Sequence, residues 1–308
     1  MLHKPICEDI TVAISMVGNL DGLKCCLSGL ASGQCMPKAL NLRMEGDIPG
    51  VNDYYFEQLL CAFRFWGVEV NIQLAHARGI HATRDAQVDN CKTTWMVMLD
   101  DDVMPDFALL SAYWTWINSV GKPGQPSYDG SDIQAQDFLM VQGSKPDLNN
   151  RRGYADFEAK PVPFPGPSQA FNFNVPHTTT VSGLSMRARW LFTRFCDPGN
   201  MLLNVPLCRQ MGIMFNPFKD IVRRAGGEDT LFAVQAIAQQ ARRVWLPAAF
   251  VWHLEKPASS FRLTEHAYRK EALLRSAEQL GVFDSGELTR EQFSASLLAW
   301  EKLEHFSD

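Results

Sequence analysis

No stretch of this chain comes near eighteen consecutive apolar residues, so the sequence offers no membrane-crossing helix. Its opening, MLHKPICEDI, has no apolar core of the kind a secretory signal needs, and a cytoplasmic protein is the expectation. The eight cysteines (Cys7, Cys25, Cys26, Cys35, Cys61, Cys91, Cys196, Cys208) include no CxxC pair, and most fall within apolar segments. They read as reduced core thiols and indicate neither a zinc site nor a disulfide framework. Positive charge is not in excess either: the net charge is -5, which gives no general attraction to polyanions, and nucleic acid is not the default partner. Internal repeats and low-complexity tracts are also missing. What is there is an ordinary globular composition, 46% hydrophobic and 20% charged over 308 residues. That length suits one large α/β domain, or one domain with an appendage.

From residue 9 to residue 102, short apolar runs alternate with helical patterns, as parallel strands and crossover helices do. Strands are expected at Ile10 to Met16, Ala39 to Met44, Val68 to Leu74 and Trp95 to Leu99. Helices are expected at Leu20 to Leu30, Asp53 to Trp66 and Ile80 to Asn90. The second helix places Phe56, Leu59, Leu60 and Phe63 on one face, with Asp53 as its cap and Gly67 as its stop. Trp95 to Leu99 shows no polar alternation, which fits a central parallel strand covered on both faces. Further on, Ser119 to Asp132 reads as a Pro/Gly loop and Phe138 to Val141 as a strand. Six prolines between Lys145 and Pro176 argue against any regular element there, and a long loop of this kind is usually functional. Thr178 to Met186 and Arg243 to Trp252 read as strands, and Asp229 to Ala241 as a helix. Two amphipathic helices, near Leu263 to Leu280 and Thr289 to Phe306, close the chain.

The segment TTWMVMLDDDVMP sets Asp100, Asp101 and Asp102 at the end of the most apolar strand. In open α/β sheets, ligands bind just beyond the carboxyl ends of the strands. Three adjacent carboxylates repel one another and resist burial, so the cluster calls for a compensating cation. A divalent metal with oxygen ligands, Mg²⁺, Mn²⁺ or Ca²⁺, is the simplest, and such metals also bridge phosphate oxygens. A solvated acidic turn or a helix cap is the bland alternative. Glu228 and Asp229 in GGEDTLF, taken by themselves, read as residues that cap a helix start and complement its dipole, with two glycines before them that would let a ligand approach the backbone. His253, after an apolar strand, reads either as a metal ligand or as a satisfied histidine.

Taken in chain order, RGIHATRDAQ, WMVMLDDDVMP, GGEDTLF and VWHLEKP resemble the GT-A-fold nucleotide-sugar glycosyltransferases, closest to the family 2 group. The resemblance spans roughly Ile10 to Pro257. It implies an α/β fold with a Rossmann-like mixed sheet flanked by helices, divided into a GT-A catalytic domain (1–258) and a C-terminal helical extension (259–308). Within the first, residues 9–102 form the nucleotide-binding half, and residues 103–258 the acceptor-side half with the irregular loop 145–176. Carried over position by position, it implies that Asp100 faces the donor and joins the metal site, Asp101 takes a secondary donor-side role, and Asp102 binds the metal. His253 completes the metal site, Asp229 is the catalytic base and Glu228 its neighbour. Mn²⁺ or Mg²⁺ and a nucleotide-sugar donor are the implied cofactor and co-substrate. Arg84 stands where the family often has Arg-Asn, but Asp85 follows it, which leaves a donor-phosphate role and a structural ion pair both open. Met16 lies in the nucleotide-base region by topology.

The expected function is transfer of a sugar, with inversion, from a nucleotide donor to an acceptor hydroxyl. The acceptor is a glycan, a lipid-linked glycan or a hydroxylated DNA base. Two other classes stay open: a metal-dependent nucleotidyltransferase or phosphohydrolase, which attacks phosphorus instead of carbon, and a non-catalytic nucleotide-sugar binding protein.

Overall fold

The computed structural model describes residues 4–45, 53–75, 79–120, 134–145, 171–172, 196–215, 228–239 and 241–254, with short pieces between 274 and 294. Four parallel strands begin the chain: β1 (Ile6–Val17), β2 (Met36–Glu45), β3 (Glu69–Ala75) and β4 (Trp95–Asp100). Between them run the crossover helices α1 (Leu20–Ser32), α2 (Tyr54–Phe65) and α3 (Ile80–Asn90). As the sequence suggests, Asp53 caps α2, its carboxylate accepting from the amides of Tyr55 and Phe56. The chain leaves that helix through Gly67 at φ +84°, a left-handed value that favours glycine.

Next come β5 (Val103–Pro105), α4 (Leu109–Ser119), β6 (Phe138–Ser144), the two-residue β7 (Phe171–Asn172), β8 (Asn200–Asn204), α5 (Val205–Met211), α6 (Glu228–Ala238) and the long β9 (Arg242–His253). The strand order is β3-β2-β1-β4-β8-β6-β9-β5, and β7 pairs with β9. That short β7 pairing corrects the expectation of no regular element in 145–176: Phe171 meets Trp245 across the ladder. The expected strand at Thr178 to Met186 lies outside the described residues, as do most of the two C-terminal helices.

Each face of the sheet carries its own core. Trp95, Val97 and Leu99 of β4 point to one side, where α1, α2 and α4 pack, and Met96 and Met98 point to the other, beneath α3, α5 and α6. This explains why β4 shows no polar alternation. On the first face Trp95, Trp116 and Phe138 meet edge to face. Leu274, Ala277 and Phe293, from the C-terminal stretch, are buried in the second core.

Topology brings one edge together. Because β4 and β8, and then β8 and β6, are antiparallel, β6 runs parallel to β4, and β9 runs parallel to β6. The carboxyl ends of β1, β2, β4, β6 and β9 and the amino end of β8 therefore share an edge. Asp100 lies opposite Ser15 of β1 on one side, and its neighbour Leu99 opposite Asn200 of β8 on the other.

Candidate active site at the carboxyl edge of the sheet

Arg84 organises this edge. It sits on α3, buried, and donates from Nη1 to Glu228 Oε1 and from Nη2 to Asp100 Oδ1 at 2.9 Å. Of the two roles open to it, the ion pair is the one the geometry displays, and one side chain joins the two acidic motifs. Asp85, where the resembled family often has asparagine, accepts from the amide of Phe215 at 2.6 Å. Phe215 stacks on Phe232 of α6 at 4.5 Å between ring centroids. The departure thus ties α3 to the helix that carries Glu228.

On the opposite side of Asp100, Lys145 Nζ lies 3.2 Å from Oδ2 and 2.8 Å from Asp197 Oδ1. Both oxygens of Asp100 are therefore engaged by the protein's own cations. Part of the compensating charge that the sequence calls for at the acidic run is supplied, at Asp100, by Arg84 and Lys145. Burial opposes ionisation of Asp100, yet Lys145 and Arg84 together hold its carboxyl well below the usual carboxylate range. For Glu228 burial pushes the pKa up, but Arg84 and then His81 outweigh it and leave it low. His81 Nε2 is 3.7 Å from Glu228 Oε2. Asp229, half-buried in the first turn of α6, adds to the field that keeps Arg84 charged.

Asp102 and His253 meet for a reason of register. Antiparallel pairing of β5 and β9 sets Val103 opposite His253, and the amide of Leu254 donates to the carbonyl of Asp102 at 2.7 Å. The result is His253 Nε2 at 3.5 Å from Asp102 Oδ2. A carboxylate and an imidazole at this spacing are groups that would both suit one divalent cation. Among the described residues no group of three or more His, Cys, Asp or Glu side chains converges as a metal cluster. Asp101 is buried beside them, with its carbonyl facing the Gly22 backbone of α1. Met16 stands at the carboxyl end of β1 as expected, but its side chain belongs to the core.

Sequence reading does not single out Asp197 or Gly199, and it gives Lys145 and His81 no role at this edge. Lys145 had a signal: it follows an apolar strand just as Asp100 does, and the same edge rule would have singled it out.

No protein-family model matches the chain, and no curated protein is significantly similar in sequence. Among solved structures, S. aureus TarS 1-349 in complex with UDP superposes with a TM-score of 0.57 at 14% identity, over 97% of this chain and 72% of that one. The same protein in complex with UDP-GlcNAc gives 0.54 at 14%, over 87% of this chain and 66% of that one. The mannosyltransferase PcManGT from Pyrobaculum calidifontis, in complex with GDP-Man and Mn²⁺, gives 0.50 at 12%, over 94% and 68%. The chain therefore has the α/β fold of the GT-A-type glycosyltransferases.

Proposed function

We propose that this chain is a metal-dependent, inverting glycosyltransferase that moves a sugar from a nucleotide donor to an acceptor hydroxyl. The observation that carries this reading is the Asp100–Arg84–Glu228 link. It brings the acidic turn after β4 and the acidic start of α6 to one point on the sheet edge where ligands bind in such folds. The neighbours' bound UDP, UDP-GlcNAc and GDP-Man support a nucleotide-sugar donor.

In this reading Asp102 and His253 hold Mn²⁺ or Mg²⁺, which when bound offsets charge on the departing diphosphate. Asp100 faces the donor, with its carboxylate kept ionised and oriented by Arg84. Asp101 supports the turn from within, and Met16 backs the base region from the core. Asp229 takes the proton from the acceptor hydroxyl as it attacks the anomeric carbon, which is general-base work. Glu228, held by Arg84, fixes the first turn of α6 and so the position of Asp229.

Two variants test the assignment. Asp229→Asn is expected to bind donor normally and lose turnover by about 10²- to 10⁴-fold, whereas Asp102→Ala loses the metal-dependent part of donor binding. Equal activity of both with the wild type would defeat the reading. Product analysis separates it from phosphoryl chemistry: nucleoside diphosphate and a glycoside are expected, and nucleoside monophosphate or sugar phosphate would point to attack at phosphorus.

A further inference from the structure

The proposed mechanism leaves unused a half-buried cation at the same edge, Lys145, and the polar framework behind it. Its ammonium lies between Asp100 and Asp197. Burial disfavours its charge, but Asp197 and Asp100 more than restore it, so it stays protonated across the whole working range.

Asp197 is itself built into place. Its amide donates to Gln142 Oε1 at 2.8 Å, and its Oδ1 accepts from the Gly199 amide at 2.9 Å. Gln142 in turn donates to the Asn200 carbonyl at 2.8 Å, and Asn200 accepts from the Tyr113 hydroxyl at 2.9 Å. Glycine at 199 makes room for the meeting: a Cβ there would lie 2.4 Å from both Lys145 Nζ and Asp100 Oδ2. A chain of side chains from two strands and a helix, joined through Asp197, thus ends by presenting one ammonium at the sheet edge.

Arg84 and Lys145 differ in what they can still do. Arg84 is 7% exposed and is held in place by a carboxylate on each terminal nitrogen, Glu228 on one and Asp100 on the other. An ammonium has three donors, and Asp100 and Asp197 account for two of those of Lys145 among the described residues. The Lys145 side chain is 16% exposed.

We propose that Lys145, presented by Asp197, contacts the diphosphate of the nucleotide donor and stabilises the departing nucleoside diphosphate. The proposal rests on the glycosyltransferase reading, because it places the diphosphate beside Asp100. It adds a cationic contact, independent of the metal ligands, at the oxygens where charge develops.

The test is calorimetry on the full chain with Mn²⁺, comparing UDP and GDP with uridine and guanosine, which share the base and ribose but lack phosphate. Lys145→Met is expected to weaken nucleoside diphosphate binding about tenfold or more, the worth of one charge-assisted hydrogen bond, with nucleoside binding unchanged. Asp197→Asn, which keeps the lysine but loosens its anchor, is expected to lower the diphosphate-to-nucleoside preference by a smaller factor. That second variant carries the test if Lys145→Met does not fold. Diphosphate affinity of Lys145→Met within twofold of the wild type overturns the proposal, as does an equal loss for nucleoside and diphosphate, which would make Lys145 a shaping residue only. A wild-type chain that binds none of these nucleotides would bring down the glycosyltransferase reading itself, and this proposal with it.

Discussion

Replacing Arg84 by methionine removes the positive half of the link between the two acidic motifs while keeping much of the side chain's bulk. Two carboxylates then lose a partner, but unequally. Asp100 is 26% exposed and retains Lys145, so water and the ammonium still solvate it. Glu228 is 9% exposed and loses its main cation, with His81 and a backbone hydrogen bond as weaker support. Breaking a buried pair from one side costs about 3–5 kcal/mol, and the lower end, ~3 kcal/mol, applies where only one of two acids is stranded. Unfolding 308 residues at about 2.1 cal/mol/K each gives ~0.65 kcal/mol/K, so the loss amounts to ~5 °C in Tm.

The pH dependence gives a sharper signature. In the wild type both carboxyls lie below their unfolded values, so their contribution is complete at neutral pH and is lost as pH falls past the unfolded values and through the folded ones. Without Arg84, burial is left as the main influence on Glu228 and raises its pKa above the ordinary 4.5. The variant's penalty is then full at pH 7 and shrinks as Glu228 takes up a proton on the way down towards pH 4.5. Melting curves followed by circular dichroism from pH 4.5 to 8 read this directly. Arg84→Met combined with Glu228→Gln should regain most of the loss at pH 7. A variant within 1 °C of the wild type at pH 7, or a gap that stays constant across the range, would refute the reasoning.

Other expectations follow from single contacts. A methyl group at position 143 would lie 2.5 Å from the Ala249 carbonyl and 2.2 Å from Asn200 Nδ2. Gly143→Ala should therefore destabilise by about 1–3 kcal/mol in urea unfolding, and an unchanged midpoint would show that β6 and β9 can part more easily than their packing indicates. Of the eight thiols, Cys25 and Cys61 are exposed and the rest buried. Ellman titration of the native chain should count two fast thiols and six only on denaturation; burial pushes the Cys208 thiol up to about 12. In a thermal-shift panel of nucleotide sugars, the true donor should raise Tm, and more so with Mn²⁺, because it binds the native state alone. A flat panel would count against a nucleotide-sugar site.

The first half of the fold was legible in the sequence because its signals are local. Asp53 and Gly67 bracket α2, and Ile80 to Asn90 forms a helix over the expected residues. Recognition weakens after Asp102. Helix α4 shows a plain apolar face in Leu109, Leu110, Tyr113 and Trp116 but was not singled out. Strand β8, NMLLN, is five buried residues between a turn and a proline-started helix, too short for periodicity to show. The site divides in the same way. Asp100, Asp102, Glu228 and His253 stood out because each follows or opens a strongly patterned element. Their coupling did not, since Lys145 and Asp197 reach Asp100 through the antiparallel return of β8 and the parallel return of β6, and Arg84 reaches across from α3 to the start of α6. No spacing in the chain encodes a contact made by strand order.

The account turns on the nucleotide donor lying at the edge formed by Asp100, Asp102 and His253. A crystal structure of the chain with UDP or GDP and Mn²⁺ tests this most directly. It should show the metal on Asp102 and His253, bridging the diphosphate, with the Lys145 ammonium on a phosphate oxygen. A nucleotide bound elsewhere, or an edge left empty at saturating nucleotide and metal, would contradict it.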